Sequence, residues 1–411
     1  MLMSVRQVPS RHYTALDRRV SSTSMGLGIL CAIIFTTVAY AAVREGYIST
    51  LVERLWSLHS EEVQESGGQW LVVLFVLSLK SIPGTGPALL VAVTVVAAAY
   101  MLSTLAGILT RRGWSQVQII VFITALALHP LTLYGATTGQ PFLLVAITFA
   151  CVILAADRLE SIGDVQAQMA IGLALALLII TNANGIYFII PFLILLPIFY
   201  RQMNSVQSVL AGYIMVGLPC MIALVISFYV QIVFSRESLW NIMELWQAPL
   251  HRPTADLSQY QWLVKYRGDL WGALGALLAS LFLFLPIYVA PAIRLIASVR
   301  ERKRPGTALA ALTVPLLGGA VATYFGHAAS AWTFLAAGLA GSAIWIATSK
   351  IKSQSRSILV AGLILGVVLS WASPEIWLDQ EKIAWRNMVV TQVTQGIDSA
   401  RLSISAALPY F

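Results

Sequence analysis

GTGPALLVAVTVVAAAYMLSTLAGILTRRG, residues 84–113, carries no charged side chain until it closes on Arg111-Arg112. A helix rises about 1.5 Å per residue and the hydrocarbon core of a bilayer is about 30 Å thick, so about 20 apolar residues make one crossing. The stretch is long enough for that, and its pair of cations stops it at a headgroup layer. It decides the solvent: this is a chain written for lipid, and the pattern repeats in both directions from it.

The composition agrees. With 58% hydrophobic and 11% charged residues among 411 and a mean hydropathy of +0.79, a water-soluble globule would lack the polar surface to cover itself. Apolar runs at 25–43, 84–110, 117–134, 142–156, 169–183, 186–200, 206–234, 271–290, 307–325, 328–347 and 358–373 predict an all-α polytopic membrane protein with about eleven transmembrane helices. Residues 1–24 read as an unstructured cytoplasmic tail, 25–373 as the transmembrane domain and 374–411 as an extracytoplasmic tail.

Lysine and arginine collect on the cytoplasmic side of an energised membrane, which orients the spans. With the N-terminus inside, the inner segments hold Arg6, Arg11, Arg18, Arg19, Arg111, Arg112, Arg158, Arg201, Arg294, the cations of 300–304, Lys350, Lys352 and Arg356. That is roughly 16 of the 26 basic groups against roughly 5 of the 18 acids, the bias expected of inner loops. An odd number of spans then leaves the C-terminus outside, and the expected location is a plasma (bacterial inner) membrane. The isoelectric point of about 9.5 follows from these short loop clusters and implies no nucleic-acid partner. Cys31, Cys151 and Cys220 all fall within spans, where thiols act as small hydrophobes, so neither a disulfide nor a metal framework is expected.

Non-membrane mass concentrates in three outer segments, 44–83, 235–270 and 374–411. In the first, Tyr47, Leu51, Leu55 and Leu58 recur at helical spacing among Glu53, Arg54, Glu61 and Glu62, the pattern of a helix lying along a membrane surface. The apolar run 70–79 is too short to cross and predicts a second juxtamembrane helix. Lys80 follows it, placed either to snorkel to the headgroups or to neutralise a phosphate. In 235–270, Trp240, Trp246, Tyr260, Trp262 and Tyr266 accompany His251, Arg252, Lys265 and Arg267. Two readings compete there: an aromatic belt with ordinary surface charges, or a contact for a lipid phosphate. The last segment sets Ile383, Val390, Val393 and Ile397 among polar residues, which predicts a surface helix.

Several landmarks follow one another along the first half of the chain. The first span ends in Arg44-Glu45-Gly46-Tyr47, two juxtamembrane helices follow, and the second span closes on Arg111-Arg112-Gly113. Next come His129-Pro130, Ala136-Thr137-Thr138-Gly139-Gln140 and Thr181-Asn182-Ala183-Asn184-Gly185. In this order the features resemble the GT-C superfamily of polyprenyl-phosphate-sugar-dependent glycosyltransferases, which includes the protein O-mannosyltransferases and the lipid A aminoarabinose transferases. The likeness is one of layout, over residues 25–200 and thereafter by span count and the outer loop at 235–270.

The resemblance implies a transferase that takes a sugar from a lipid-linked donor at the outer leaflet and passes it to a cell-envelope glycan, lipid or protein. Family members open the first outer loop with Asp-Glu, the first acid serving as the base that deprotonates the acceptor hydroxyl. Here Arg44 holds that position and Glu45 survives beside it, turned by about 100° on a helix. Gln140-Pro141 stands where a second acid is usual, and Gly67-Gly68-Gln69-Trp70 replaces a proline-rich motif. Glu45 is accordingly the candidate base, with Arg44, Lys80, His251, Arg252, Lys265 and Arg267 as candidate substrate contacts. Asn182 and Asn184 are placed for a sugar hydroxyl, although turn chemistry explains them equally well. The scheme requires no cofactor or metal, because basic side chains can carry the charge of the leaving phosphate.

Two other functions remain open. One is a catalytically silent subunit of GT-C layout that scaffolds envelope-polysaccharide assembly or export with other membrane proteins. The other is a secondary transporter. Against transport stand the scarcity of ionisable residues inside the spans, with His129 the main exception, and the lack of an inverted repeat. His129 itself reads as a hydrogen-bonded packing residue. The location of the largest cavity separates transport from transfer: mid-membrane for transport, at the outer interface under the first loop for transfer.

Overall fold

The computed structural model of the chain describes residues 11–48, 86, 88–181, 185–200, 206–235, 266–284, 286–300, 306–325, 331–372 and 380–407. Among these residues all regular structure is helical. In chain order the helices are α1 (Arg11–Arg44), α2 (Ala88–Arg111), α3 (Gln116–Leu128), α4 (Pro130–Thr138), α5 (Pro141–Ile162), α6 (Val165–Thr181) and α7 (Ile186–Tyr200). Then follow α8 (Val206–Ser235), α9 (Leu270–Phe284), α10 (Val289–Arg300), α11 (Gly306–Tyr324), α12 (Ala331–Thr348), α13 (Ser353–Ala372) and α14 (Gln380–Ala407), with a 3-10 turn at Pro286–Tyr288.

Six helices are long and apolar enough to cross a membrane: Ser22–Arg44 within α1, α2, α5, Val209–Ile226 within α8, α11 and α13. The pairs α3–α4 and α9–α10 raise the number to eight if each bent pair is one crossing, while α6, α7 and α12 are shorter apolar helices. By length and composition the chain is a multi-pass membrane protein. The count stands at six to eight among the described residues, below the eleven the apolar runs predict. Each run does coincide with a helix, but two runs are bent and three make helices shorter than a full span.

The first bend falls at His129-Pro130, where α3 and α4 meet at 60°. Proline lacks the N–H that would continue the ladder, and its ring collides with the carbonyl four residues back. Lipid supplies no partners for the polar groups this exposes, so the protein must. The Leu131 N–H donates to His129 Nδ1 at 3.3 Å, and Trp371 Nε1 donates to the Leu128 carbonyl at 3.0 Å. The second bend, 105° between α9 and α10, comes at the turn opened by Pro286; the buried Tyr288 hydroxyl there donates to the Leu312 carbonyl on α11. The spans expected at 117–134 and 271–290 are therefore bent helix pairs, each a broken crossing or a re-entrant loop. A further correction concerns the N-terminal tail, because α1 is already helical from Arg11.

Burial sorts the helices into a core and a rim. About 72% of the span in α11 and 67% of that in α5 is buried, against 28% in α1 and 22% in α8 and α13. Rim helices turn apolar side chains outward, among them Ile33, Leu218, Val225, Ile358 and Leu365, which marks them as lipid-facing. Lipid tails are as apolar as leucine, so the helices associate through close packing. A Cβ on Gly318 would stand 2.6 Å from the Tyr187 carbonyl of α7, and one on Gly172 would stand 2.9 Å from the Met215 carbonyl of α8. Thr137, Thr138, Thr148 and Thr323 hide their hydroxyls by donating to the carbonyl one turn back.

The two ends of this bundle differ. Arg111, Arg112, Arg158, Lys350, Lys352 and Arg356 lie at one of them, the basic end, where polar contacts tie helix termini together. The Glu160 carboxylate of α5 accepts from the Thr307 N–H at 2.8 Å and from the Thr307 hydroxyl, and so caps α11. Asp157 faces Arg112 and is hydrogen-bonded by Thr348. Arg158 Nη2 meets Asp164 Oδ2 at 2.5 Å. The Gln166 N–H, helped by Arg158, holds the Asp164 carboxyl below the usual carboxylate range.

Candidate functional site

The opposite end, where α1 finishes and α2 starts, is built of rings. All nine residues of α4 are buried, and Tyr134 lies at the centre. Its ring stacks with Phe142 at 6.5 Å and meets the edges of Trp332 at 5.4 Å and Trp385 at 5.0 Å. Gln140 Nε2 donates to the Tyr134 hydroxyl at 3.2 Å. From α14, Lys382, Trp385 and Arg386 come at helical spacing and share one face. The Lys382 ammonium lies 4.7 Å over the Trp332 ring, an attraction that strengthens as water is excluded. Trp385, fully buried, stacks on Trp371 at 6.1 Å, and Arg386 Nη2 donates to the Trp371 carbonyl at 2.7 Å. Since Trp371 also holds the Leu128 carbonyl, α14 is joined through it to the break between α3 and α4.

Arg44 and Glu45 stand exposed at this same end. Gly46, at φ +79°, closes α1 in a left-handed turn, and the Tyr47 N–H returns to the Ala42 carbonyl at 2.7 Å. A cation suits the negative end of the helix dipole, so Arg44 has a local structural reason for its place. The same dipole disfavours an acid there, so Glu45 has none. Arg267 sits half-buried in the turn before α9, where the Gly268 N–H bonds the Tyr324 carbonyl at 3.1 Å. The other candidates, Lys80, His251, Arg252, Lys265, Asn182 and Asn184, lie outside the described residues, as do Glu61, Glu62 and residues 49–79 of the expected juxtamembrane helices, while Tyr47 and Ile48 are described and not helical.

His129 is a capping and packing residue, as its sequence context suggests. It is buried, its Nδ1 accepts the Leu131 N–H, and its Nε2 lies 3.4 Å from the Ser370 hydroxyl. The surface helix expected in the last segment falls within α14, and the structure adds which face it turns inward. The stripe Ile383, Val390 and Val393 faces outward, while Lys382, Trp385, Met388 and Val389 pack inward. Those inward residues, with Tyr134 and Trp332, were missed. The only trace of them in the sequence is the spacing of Lys382, Trp385 and Arg386.

A cavity of about 20 Å³ opens in the middle of the bundle beside the α3–α4 break, lined by residues such as Leu126, Leu131, Leu143, Leu339 and Ala343, with Thr132 its sole polar side chain. That is room for about one water, too small for a sugar and too apolar to coordinate an ion. Among the described residues no three of His, Cys, Asp and Glu converge as metal ligands. In the comparisons with known proteins, no family model, no curated protein and no solved structure matches this chain.

Proposed function

We propose that this chain is an integral-membrane glycosyltransferase of GT-C layout, moving a sugar from a polyprenyl-phosphate donor to a cell-envelope acceptor on the outer face. The observation that supports the reading is Glu45: an exposed carboxylate at a helix C-terminus, at the end of the bundle away from the basic clusters. In this scheme it is the general base, removing the proton of the acceptor hydroxyl as that oxygen attacks the anomeric carbon. Arg267, with Lys80, His251, Arg252 and Lys265, would carry the charge of the departing phosphate.

The test is transfer or hydrolysis by the purified protein in lipid, offered a panel of polyprenyl-phosphate sugars. Glu45→Gln should abolish turnover and leave the melting temperature unchanged, since the side chain is exposed. Arg252→Ala or Lys265→Ala should weaken donor binding instead. Full activity in Glu45→Gln would move the base elsewhere. Orientation has its own check: a reporter fused after Arg304 should read cytoplasmic and one fused to Phe411 external, under the eleven-span scheme.

A second reading, the silent scaffold, draws on Arg44 in the place of the family acid and on the outward stripe of α14, a surface open to another membrane protein. No transfer with any donor, together with stable copurification of an envelope-assembly protein that Val390→Asp disrupts, would favour it.

A further inference from the structure

The basic end carries a feature that sugar transfer at the other end does not use. Arg356, on α13, ties together two turns far apart in the sequence. Its Nη1 donates to the Gly113 carbonyl at 2.6 Å, its Nη2 to the Arg112 carbonyl at 3.2 Å and its Nε to the Ile351 carbonyl at 3.1 Å. The guanidinium lies 5.4 Å over the Trp114 ring. Gly113 supplies the tight bend with a φ of +71°, and Gln118 Nε2 bonds the Ser357 hydroxyl at 3.3 Å. These contacts set Arg111 and Arg112 beside Lys350 and Lys352, and all four side chains are exposed.

Carboxylates near the cluster offset one of its four cations and leave the other three. Asp157 faces Arg112, whereas Glu160 is engaged by Thr307 and Asp164 by Arg158. Membrane topology requires cations on one side of a protein, but it does not require two turns to be clasped into one patch. Trp114 adds an independent observation: it is 5% exposed, and its indole N–H meets no acceptor among the described residues.

The surroundings point to a lipid. Flanking the Gln118–Ser357 contact, Val117 is 70% and Ile358 72% exposed, and the outward residues Ile120 and Leu365 continue the apolar surface of α3 and α13 away from the cations. Cations at the top of an exposed apolar seam between two packed helices match the two parts of a phospholipid.

We propose that the α2–α3 and α12–α13 turns form a binding site for an anionic phospholipid of the adjoining leaflet, its phosphate at Arg111, Arg112, Lys350 and Lys352 and an acyl chain along the α3–α13 seam. The site is independent of the transfer reading and stands whether or not the protein moves sugars.

Native mass spectrometry of the full chain in mild detergent tests it, with phosphatidylglycerol and phosphatidylcholine of matched chains. Phosphatidylglycerol should be retained at least about tenfold better, and the preference should fall about fivefold for each exposed cation removed in Arg111→Ala, Lys350→Ala and Lys352→Ala. Ile358→Ser, which leaves every cation in place, should lower retention as well. Inorganic phosphate and glycerol phosphate at millimolar concentration should not displace the lipid. Equal retention of the two lipids would overturn the proposal, as would a triple variant that keeps the unsubstituted protein's full preference for phosphatidylglycerol. Displacement by inorganic phosphate would also sink it, by marking a site for free anions.

Discussion

At the basic end, helix termini are joined by charge and polar caps: Glu160 on the first turn of α11, Arg158 with Asp164, and Arg356 on the Arg112 and Gly113 carbonyls of the turn after α2. At the other end the same task falls to aromatic faces, with Tyr134, Trp332, Trp371 and Trp385 packed around α4 and beneath α14. The first set is partly solvated, where an ion pair contributes little and salt weakens it further. The second is buried, where a large ring contributes area, dispersion and edge geometry together. The two ends should therefore differ sharply in their sensitivity to substitution.

The largest effect should follow Trp385→Ala. Removing a fully buried indole should cost about 3–5 kcal/mol, read from equilibrium unfolding in detergent, and should expose α14 to protease. A cost no greater than that of the basic-end variants would break the comparison. Gly318→Val, between the two ends, comes next. Its Cβ would meet a backbone carbonyl that cannot yield, and overpacking of this kind costs about 1–3 kcal/mol in the same assay. Glu160→Ala should cost about 1–2 kcal/mol through a lost helix cap, and Glu160→Gln should restore part of it.

The smallest effect belongs to Asp164. Its carboxyl titrates below the usual range, so its contribution is complete above about pH 4, near the unfolded value. It disappears as the pH falls through the lowered folded value. Hydrogen exchange at the turn between α5 and α6 should therefore quicken only in acid, and Asp164→Asn should remove that dependence.

Hydropathy located the helices well because it reports what must be desolvated, and each apolar run has its helix. It could not show where a run bends. Both sides of His129-Pro130 and of Pro286 are apolar, so the turn leaves no polar gap in the sequence. The inward face of α14 was hidden for a related reason. Near a membrane an apolar stripe can face lipid as readily as protein, so Ile383, Val390 and Val393 said nothing of the opposite face, which also holds a cation, Lys382. The ring end was illegible because Tyr134, Trp332 and Trp385 meet only in three dimensions; singly, each resembles an ordinary interfacial aromatic. Arg44 and Glu45 were legible as end-of-helix residues and their chemistry rested on family layout alone, whereas Arg267 was legible as an outer-loop cation beside aromatics.

The cap that Glu160 places on α11 bears on how the protein is made. A ribosome delivers Glu160 to the membrane 147 residues before Thr307, so α5 arrives carrying an acceptor whose donors do not yet exist. When α11 emerges, its first turn finds the carboxylate already waiting, and the late half of the chain closes onto the early one in a set order. Biogenesis, on this view, runs from a receptive first half to a second half that completes it, and two separately synthesised halves divided between α8 and α9 should still find each other.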